Sequence, residues 1–204
     1  MEPMTIITVS APYGAGGSVV APALAQRLGV PFLDRAISAT VAAELDVSVE
    51  EAESGALHRG WLERMAFSMV PLTGDVGVTI PPLADEQELR QTTEQVLREA
   101  SRGGAVVLGR AGAWALAGQP GVLRVRLYGP EDRRLVQAQR VEGVDAKTAR
   151  TRMRQVDEAR ADYVRRLYGA SVDAPDAYDL QVDSTTLPLD VVTEVIATAA
   201  SGVS

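Results

Sequence analysis

Short apolar runs alternate with stretches of helical periodicity along most of this chain. Thr5–Ser10 is a nearly continuous apolar run, the pattern of a strand buried on both faces. Ser18–Leu28 follows with Val20, Ala23, Leu24 and Leu28 at helical spacing, and Gly29-Val30-Pro31 stops it. Pro31-Phe32-Leu33, ending at Asp34, predicts a second short strand, and Arg35–Leu45 a helix through Ile37, Val41, Ala42 and Leu45. Glu50–Met69 reads as helical with Trp61, Leu62, Met65 and Met69 on one side. Val70–Ala84, with three prolines and two glycines, reads as a mobile loop. A helix is predicted over Asp85–Arg102, where Leu89, Thr93, Val96, Leu97 and Ala100 share a face and Gly103-Gly104 ends it. Ala105–Leu108 and Leu123–Tyr128 predict strands three and four, and Glu131–Glu142 a helix after Gly129-Pro130. Asp145–Leu167 predicts a long arginine-rich helix, continuous or broken once, and Tyr178–Val182 a fifth strand. The last helix has Pro188 in its first turn and Val192, Val195, Ile196 and Ala199 on its apolar face.

Strands alternating with helices imply an α/β domain whose mostly parallel sheet is covered on both faces. Such sheets bind ligands beyond the carboxyl ends of their strands. Three separated segments converge there: the glycine-rich stretch after strand one, Asp34 after strand two, and Gly109-Arg110 after strand three.

Composition narrows the chemistry. A length of 204 residues fits one domain with a small insert, and 46% hydrophobic with 23% charged residues is ordinary for a soluble globular chain. The absence of cysteine excludes disulfides, thiolate metal sites and cysteine nucleophiles, and the single histidine, His58, disfavours a histidine metal site or a Ser-His triad. The start Met1-Glu2-Pro3-Met4 lacks the features of a signal peptide, and no run reaches the roughly 18–20 apolar residues of a membrane helix, so the chain reads as cytoplasmic and off the membrane. A net charge of −7 argues against an extended nucleic-acid surface but allows a small anion in a local basic pocket. Arginines concentrate between Arg133 and Arg166, with Arg124 and Arg126 just before, and arginine suits bidentate phosphate recognition.

Ser10-Ala11-Pro12-Tyr13-Gly14-Ala15-Gly16-Gly17-Ser18 carries the clearest chemistry. Between a strand and a helix it reads as a phosphate-cradling P-loop, in which glycines turn backbone N–H groups toward phosphate oxygens and the helix N-terminus adds positive potential. Against the Walker pattern G-x-x-x-x-G-K-[ST], Ala11 replaces the first glycine and Gly17 the lysine. Lys147 is the sole lysine of the chain, so arginine must supply most of any phosphate-neutralising charge.

The order of these motifs resembles the cytidylate kinase-like family, a branch of the nucleoside monophosphate kinases. The resembling pieces are Ile7-Thr8-Val9-Ser10 with Tyr13-Gly14-Ala15-Gly16-Gly17; Gly29 to Arg35; Val106-Val107-Leu108-Gly109-Arg110; the arginine helix Arg154–Tyr168; and Tyr178-Asp179-Leu180 with Asp183 to Leu187. They span most of the chain and are sparsest at 46–84. The resemblance implies a P-loop NTPase-type three-layer α/β/α fold with a five-stranded parallel sheet in order 2-3-1-4-5. It implies a helical acceptor-binding insert, matched by position to 46–84, and an arginine-rich lid, matched to 151–170, within a single domain over 1–204.

The resemblance also implies roles. Tyr13, Gly14, Ala15, Gly16, Gly17 and Ser18 would hold the phosphates of ATP, with the Ser18 hydroxyl on Mg²⁺. Arg110 would bind the acceptor phosphate, with Arg35 and Asp157 on the substrate side. Ala111 stands where cytidylate kinases carry an aspartate that helps hold CMP. Arg160 would stabilise the transferring phosphoryl group and Arg154 would bridge the two phosphates, although Arg154, Asp157 and Arg160 at i, i+3 spacing also read as ion pairs on a solvated helix. Asp34 would orient metal-bound water or the incoming phosphate, or would cap the helix after it. The Asp183–Thr186 segment would approach adenine, or simply cap the last helix. Tyr163 and Tyr168 read as packing of the lid helix, or as a surface on which a base stacks.

The expectation is an ATP- and Mg²⁺-dependent phosphotransferase acting on a nucleoside monophosphate, with CMP or dCMP as the default acceptor. Two alternatives stand beside it. The missing lysine, Ala11 and Ala111 motivate a catalytically silent nucleotide-binding or regulatory module. The apolar stretch Trp61–Val70 motivates a homodimer or other homo-oligomeric interaction protein.

Overall fold

A computed structural model describes residues 5–34, 86–109 and 111–203. The segments predicted at 35–45, 50–69 and 70–84, the insert at 46–84, His58, and the site candidates Arg35 and Arg110 lie outside the described residues. Elements are numbered over the described residues in chain order.

Strand β1 (Ile6–Ser10) leads through the glycine loop into helix α1 (Gly17–Leu28), and strand β2 (Phe32–Leu33) follows. Helix α2 (Glu86–Ala100) precedes β3 (Ala105–Leu108), a four-residue helix α3 (Gly112–Ala115) and β4 (Val122–Tyr128). Helices α4 (Glu131–Glu142) and α5 (Ala146–Tyr168) come next, then a 3₁₀ turn at Pro175–Ala177, β5 (Leu180–Asp183) and α6 (Leu189–Ala200). The five strands form one parallel sheet in the order β2-β3-β1-β4-β5. The architecture is the expected three-layer arrangement.

Each face of the sheet has its own core. Ile7 and Val9 of β1 point with Val125 and Leu127 of β4 toward α1 and α6, where Leu24 and Ile196 are fully buried. On the opposite face Ile6 and Val107 meet Leu89 and Leu97 of α2, Leu116, and Tyr163, Val164 and Leu167 of α5. Full burial of one such side chain contributes about 1.5–3 kcal/mol over leaving it exposed. Burial on both faces explains why the strands read as continuous apolar runs.

Several details differ from expectation. Of the two readings open for α5, continuous or broken once, the structure has the continuous one; the helix is capped at its start by Asp145, whose side chain accepts from the Thr148 N–H (2.8 Å). Pro188 is the N-cap of α6 rather than a residue of its first turn. The fifth strand begins at Leu180, because Tyr178 packs edge-on against Trp114 (centroids 5.8 Å apart) and Asp179 is committed to Arg124. That bidentate pair (2.7 and 3.1 Å) pins the start of β5 to β4, and it holds the Asp179 carboxyl below its ordinary pKa. Helix α3 carries too short a pattern to be read from periodicity.

Candidate active site

The loop between β1 and α1 closes with a turn in which the Ala15 N–H donates to the Pro12 carbonyl (3.1 Å). Gly14 (φ 77°) and Gly16 (φ 79°) are in the left-handed region that favours glycine. Gly16 is the N-cap of α1, with no side-chain cap and no acidic residue in the first turn. The amides of Gly14, Gly16, Gly17 and Ser18 have no acceptor among the described residues. Four such N–H groups at the positive end of a helix dipole line a concavity of positive potential.

The outer side of the loop is gripped by the α4–α5 pair and by the turn after β5. The Tyr13 ring packs with Ala138, Ala149 and Met153 between the two helices. Its N–H donates to Asp157 Oδ1 (2.7 Å), its carbonyl accepts from Arg134 Nη1 (2.8 Å), and its hydroxyl donates to Glu142 Oε2 (2.6 Å). Burial, reinforced by the Glu142 hydrogen bond, pushes the Tyr13 hydroxyl above its ordinary pKa. Arg134 Nη1 also pairs with Asp157 Oδ2 (2.7 Å), and Arg152 pairs with Glu142 (2.9 Å). Gln137 Nε2 donates to the Gly14 carbonyl (2.9 Å), and the buried Ser184 hydroxyl donates to the Ala15 carbonyl (2.7 Å).

This grip explains the glycine at 14. A Cβ built there lies 2.3 Å from the Arg134 carbonyl oxygen, a contact with rigid backbone. Gly14→Ala is therefore expected to cost at least about 2 kcal/mol, the sum of left-handed strain and displacement of α4. Gly29→Ala provides the control, because Gly29 (φ 67°) has nothing within 4 Å of a built Cβ and should lose only about 1 kcal/mol. Denaturant midpoints of both variants check this; equal losses would mean that α4 does not press on the loop.

Two cavities meet at the loop. The smaller, about 240 Å³, lies along residues 11–18 against Gln137, Val141 and Glu142. The larger, about 1030 Å³, opens beyond the carboxyl ends of the strands under α5. They share Ala11, Pro12, Ser18, Leu108, Val156 and Arg160 as a common rim. The larger cavity is walled by Asp34 at the end of β2, Trp114, Arg126, Tyr163 and Tyr178. The largely buried Arg126 lies over the Tyr178 ring (5.4 Å) and donates to the Val172 carbonyl, Asp173 and the Tyr178 hydroxyl.

The structure brings Ser18, Asp34, Asp157 and Arg160 to the larger cavity, and Tyr13, Gly14, Gly16, Gly17 and Ser18 to the smaller. Ala15 lines neither; it is fully buried in the core beneath the loop. Arg154 is exposed on α5 and lines neither cavity. Asp157 points both oxygens at the loop and Arg134. Gly109 (φ 73°) and Ala111 (φ 48°), on either side of residue 110, line or approach the larger cavity in left-handed conformations, and such a conformation is rare for alanine. The 183–186 turn is closed on itself, with the Thr185 N–H and hydroxyl donating to Asp183 Oδ1 (3.0 and 2.6 Å) and Arg133 pairing with Asp183 (3.2 Å). Those contacts hold the Asp183 carboxyl below its ordinary pKa.

Sequence reasoning missed Arg134, Gln137 and Ser184 as supports of the loop, and Arg126 and Trp114 as cavity walls. The short connection at 143–145 is the one local signal, since it makes α4 and α5 antiparallel neighbours and brings Arg134 within reach of Asp157.

A strand–glycine loop–helix with free amides, in a sheet of this order, defines a P-loop kinase-type fold. A gluconokinase structure from Sinorhizobium meliloti shares that fold (TM-score 0.52, 19% identity, 98% of this chain and 93% of that one). An uncharacterised protein from Eubacterium ventriosum shares it more closely (TM-score 0.68, 22% identity, 97% and 98% covered). The chain belongs to the cytidylate kinase-like family, whose profile matches residues 6–186. It is 28% identical over 193 residues to a cytidylate kinase of Ignicoccus hospitalis, covering 95% of this chain and 97% of that protein. Membership supports a kinase. No helix among the described residues is long and apolar enough to cross a membrane.

Proposed function

We propose that this protein is an ATP-dependent phosphotransferase that moves the γ-phosphoryl group to a nucleoside monophosphate, with CMP or dCMP favoured by its family. The observation that carries this reading is the shared rim: an amide cradle suited to the donor phosphates opens directly onto a cavity of about 1030 Å³ suited to an acceptor nucleotide. Phosphoryl transfer asks mainly for positioning and fixed positive charge, which this arrangement offers.

The residues present fit Mg-ATP. The amides of Gly14, Gly16, Gly17 and Ser18, without an acceptor among the described residues, suit phosphate oxygens, and Ser18 lines the rim at the Walker Ser/Thr position. Mg²⁺ characteristically takes few protein ligands beside phosphate oxygens and water; no group of three or more acidic or histidine ligands occurs among the described residues. When bound, the metal supplies charge neutralisation across the β- and γ-phosphates. Arg160 is the proposed charge partner of the transferring group, Asp34 orients the acceptor side, and Arg110 with Arg35 binds the acceptor phosphate. Asp157 serves the substrate indirectly, by setting the loop. Arg154 would join only through a shift of α5 toward the ligands.

The test is ADP formation from Mg-ATP with CMP, dCMP, UMP, AMP or GMP beside a no-acceptor control. Acceptor-dependent turnover, highest with CMP or dCMP, is expected. The glycine at the lysine position favours one second reading, a silent nucleotide-binding module; thermal stabilisation by ATP without turnover would replace the first reading with that one.

A further inference from the structure

We infer that Arg126 and Trp114 form a base-reading wall in the larger cavity and take a pyrimidine by its carbonyl edge; the inference rests on the kinase reading above. Val125 and Leu127 of β4 turn toward α1 and α6, so Arg126 between them rises on the opposite face of the sheet, beneath α5. It stands in register with Ser10, the last residue of β1, beside the start of the glycine loop. Phosphoryl transfer as proposed above makes no use of this cation, and stability does not account for it. The Arg126 side chain is 12% exposed, whereas that of its ion-pair partner Asp173 is 78% exposed. A pair so open to water on one side offsets little of the cost of burying a guanidinium. The Val172 carbonyl, the Tyr178 hydroxyl and Asp173 engage three of its five N–H groups, and two are left without an acceptor among the described residues. A methionine would fill the space against the Tyr178 ring without that cost.

The side chains around Arg126 extend the same pattern. The Trp114 ring meets Tyr178 edge-on, and its indole N–H has no acceptor among the described residues. Trp114 is half-buried where Tyr163 and Tyr178 are buried, so of these three cavity aromatics it is the one that offers a face to a ligand. The Tyr178 hydroxyl is spent on the Val172 carbonyl (2.9 Å), and Asp173 already accepts from Arg126. Ala111, one turn before Trp114, lines the cavity with a methyl group. A flat ring against the indole would therefore meet N–H donors, and its edge must carry acceptors to satisfy them. Cytosine presents two adjacent acceptors, O2 and N3, and uracil presents O2 and O4 separately. Adenine turns an amine to the same donors, which leaves both sides unsatisfied. Arg126 and Trp114 thus separate CMP and UMP from AMP, with UMP following CMP by a modest factor.

The experiment titrates wild type, Arg126→Met, Arg126→Lys and Trp114→Phe with CMP, UMP and AMP while following tryptophan fluorescence, and measures the KM of each acceptor and of Mg-ATP. Trp61 is the other tryptophan of the chain, so Trp114→Phe assigns the signal. CMP and UMP are expected to change the wild-type fluorescence, and Trp114→Phe to abolish that change. Arg126→Met should raise the KM for CMP and UMP about tenfold or more and leave that for Mg-ATP within about twofold. Arg126→Lys should recover part of the acceptor affinity, and it carries the test if the methionine variant does not fold. In wild type, kcat/KM for UMP should lie within about tenfold of that for CMP, and for AMP at least about a hundredfold below. Acceptor-dependent turnover with unchanged acceptor KM in all three variants would overturn the wall and leave the kinase reading standing. Equal shifts in the acceptor and Mg-ATP KM values would reduce Arg126 to a structural part and overturn it too. A fluorescence change that is lost in Trp114→Phe, without turnover of any acceptor, would remove the kinase reading and keep the base site. No response to any nucleotide would overturn both.

Discussion

Arg160→Ala is expected to cut acceptor-dependent turnover by about a hundred- to a thousandfold, the range for removing one preorganised donor from a developing charge. The arginine sits on the rim shared by both cavities, at the place where a transferring group would pass between them. Mg-ATP affinity should fall only about tenfold, because the loop amides still hold the phosphates. The expected signature is thus a large loss of kcat with a smaller rise in the KM for ATP. Arg160→Lys should recover only part of the rate, since a single ammonium lacks the planar fork that also engages the Ala11 carbonyl. Steady-state kinetics of the two variants check this. Unchanged kcat in Arg160→Ala would remove Arg160 from the transfer step.

Asp157→Ala should be the most destabilising polar substitution around the loop. One carboxylate satisfies both the Tyr13 N–H and the Arg134 guanidinium, whose side chain is only 12% exposed. Removing one partner of a fully buried ion pair costs about 3–5 kcal/mol. Asp157 itself is 28% exposed, which brings the expected loss to about 2–3 kcal/mol, or roughly 5–10 °C in Tm for a chain of this size. Asp157→Asn keeps an acceptor for Tyr13 and loses only the charge opposite Arg134, so it should lose about half as much. Turnover should fall in both, because the loop and α5 are no longer held together. Thermal unfolding measured beside activity tests the assignment. A Tm within a degree of wild type for the alanine variant would mean that the loop is held by its other contacts alone.

Much of the frame was legible locally. The apolar runs at 5–10, 105–108 and 123–128 became central strands because parallel strands are buried on both faces and need no polar alternation. Helix α4 matches its predicted span, since Gly129-Pro130 and Gly143 punctuate it. The glycine turn between β1 and α1 was legible at Gly14–Ser18, because clustered glycines after an apolar run mark a tight connection. Helix α3, the 3₁₀ turn and the true start of β5 were not, since each is decided by a few contacts to distant residues such as Trp114 and Arg124.

The sequence by itself determined the layer class, most of the described elements, and the absence of a lysine from the phosphate loop, because periodicity and residue type are local properties. Tertiary structure decided what each polar residue does. Asp157 and Tyr13, grouped by sequence with the ligands, make direct contact with one another and with Arg134. Gly17 lies so close to Ala11 that a Cβ built on it would come within 2.7 Å of the Ala11 Cβ, a proximity across six residues of sequence. Arg154 and Arg160, equivalent by spacing on one helix, differ because only Arg160 reaches the rim. Such distinctions depend on which surfaces meet when α4 and α5 close on the loop, and the close packing of that junction, with spacings of a few ångströms, is set by three-dimensional contacts that no local pattern encodes.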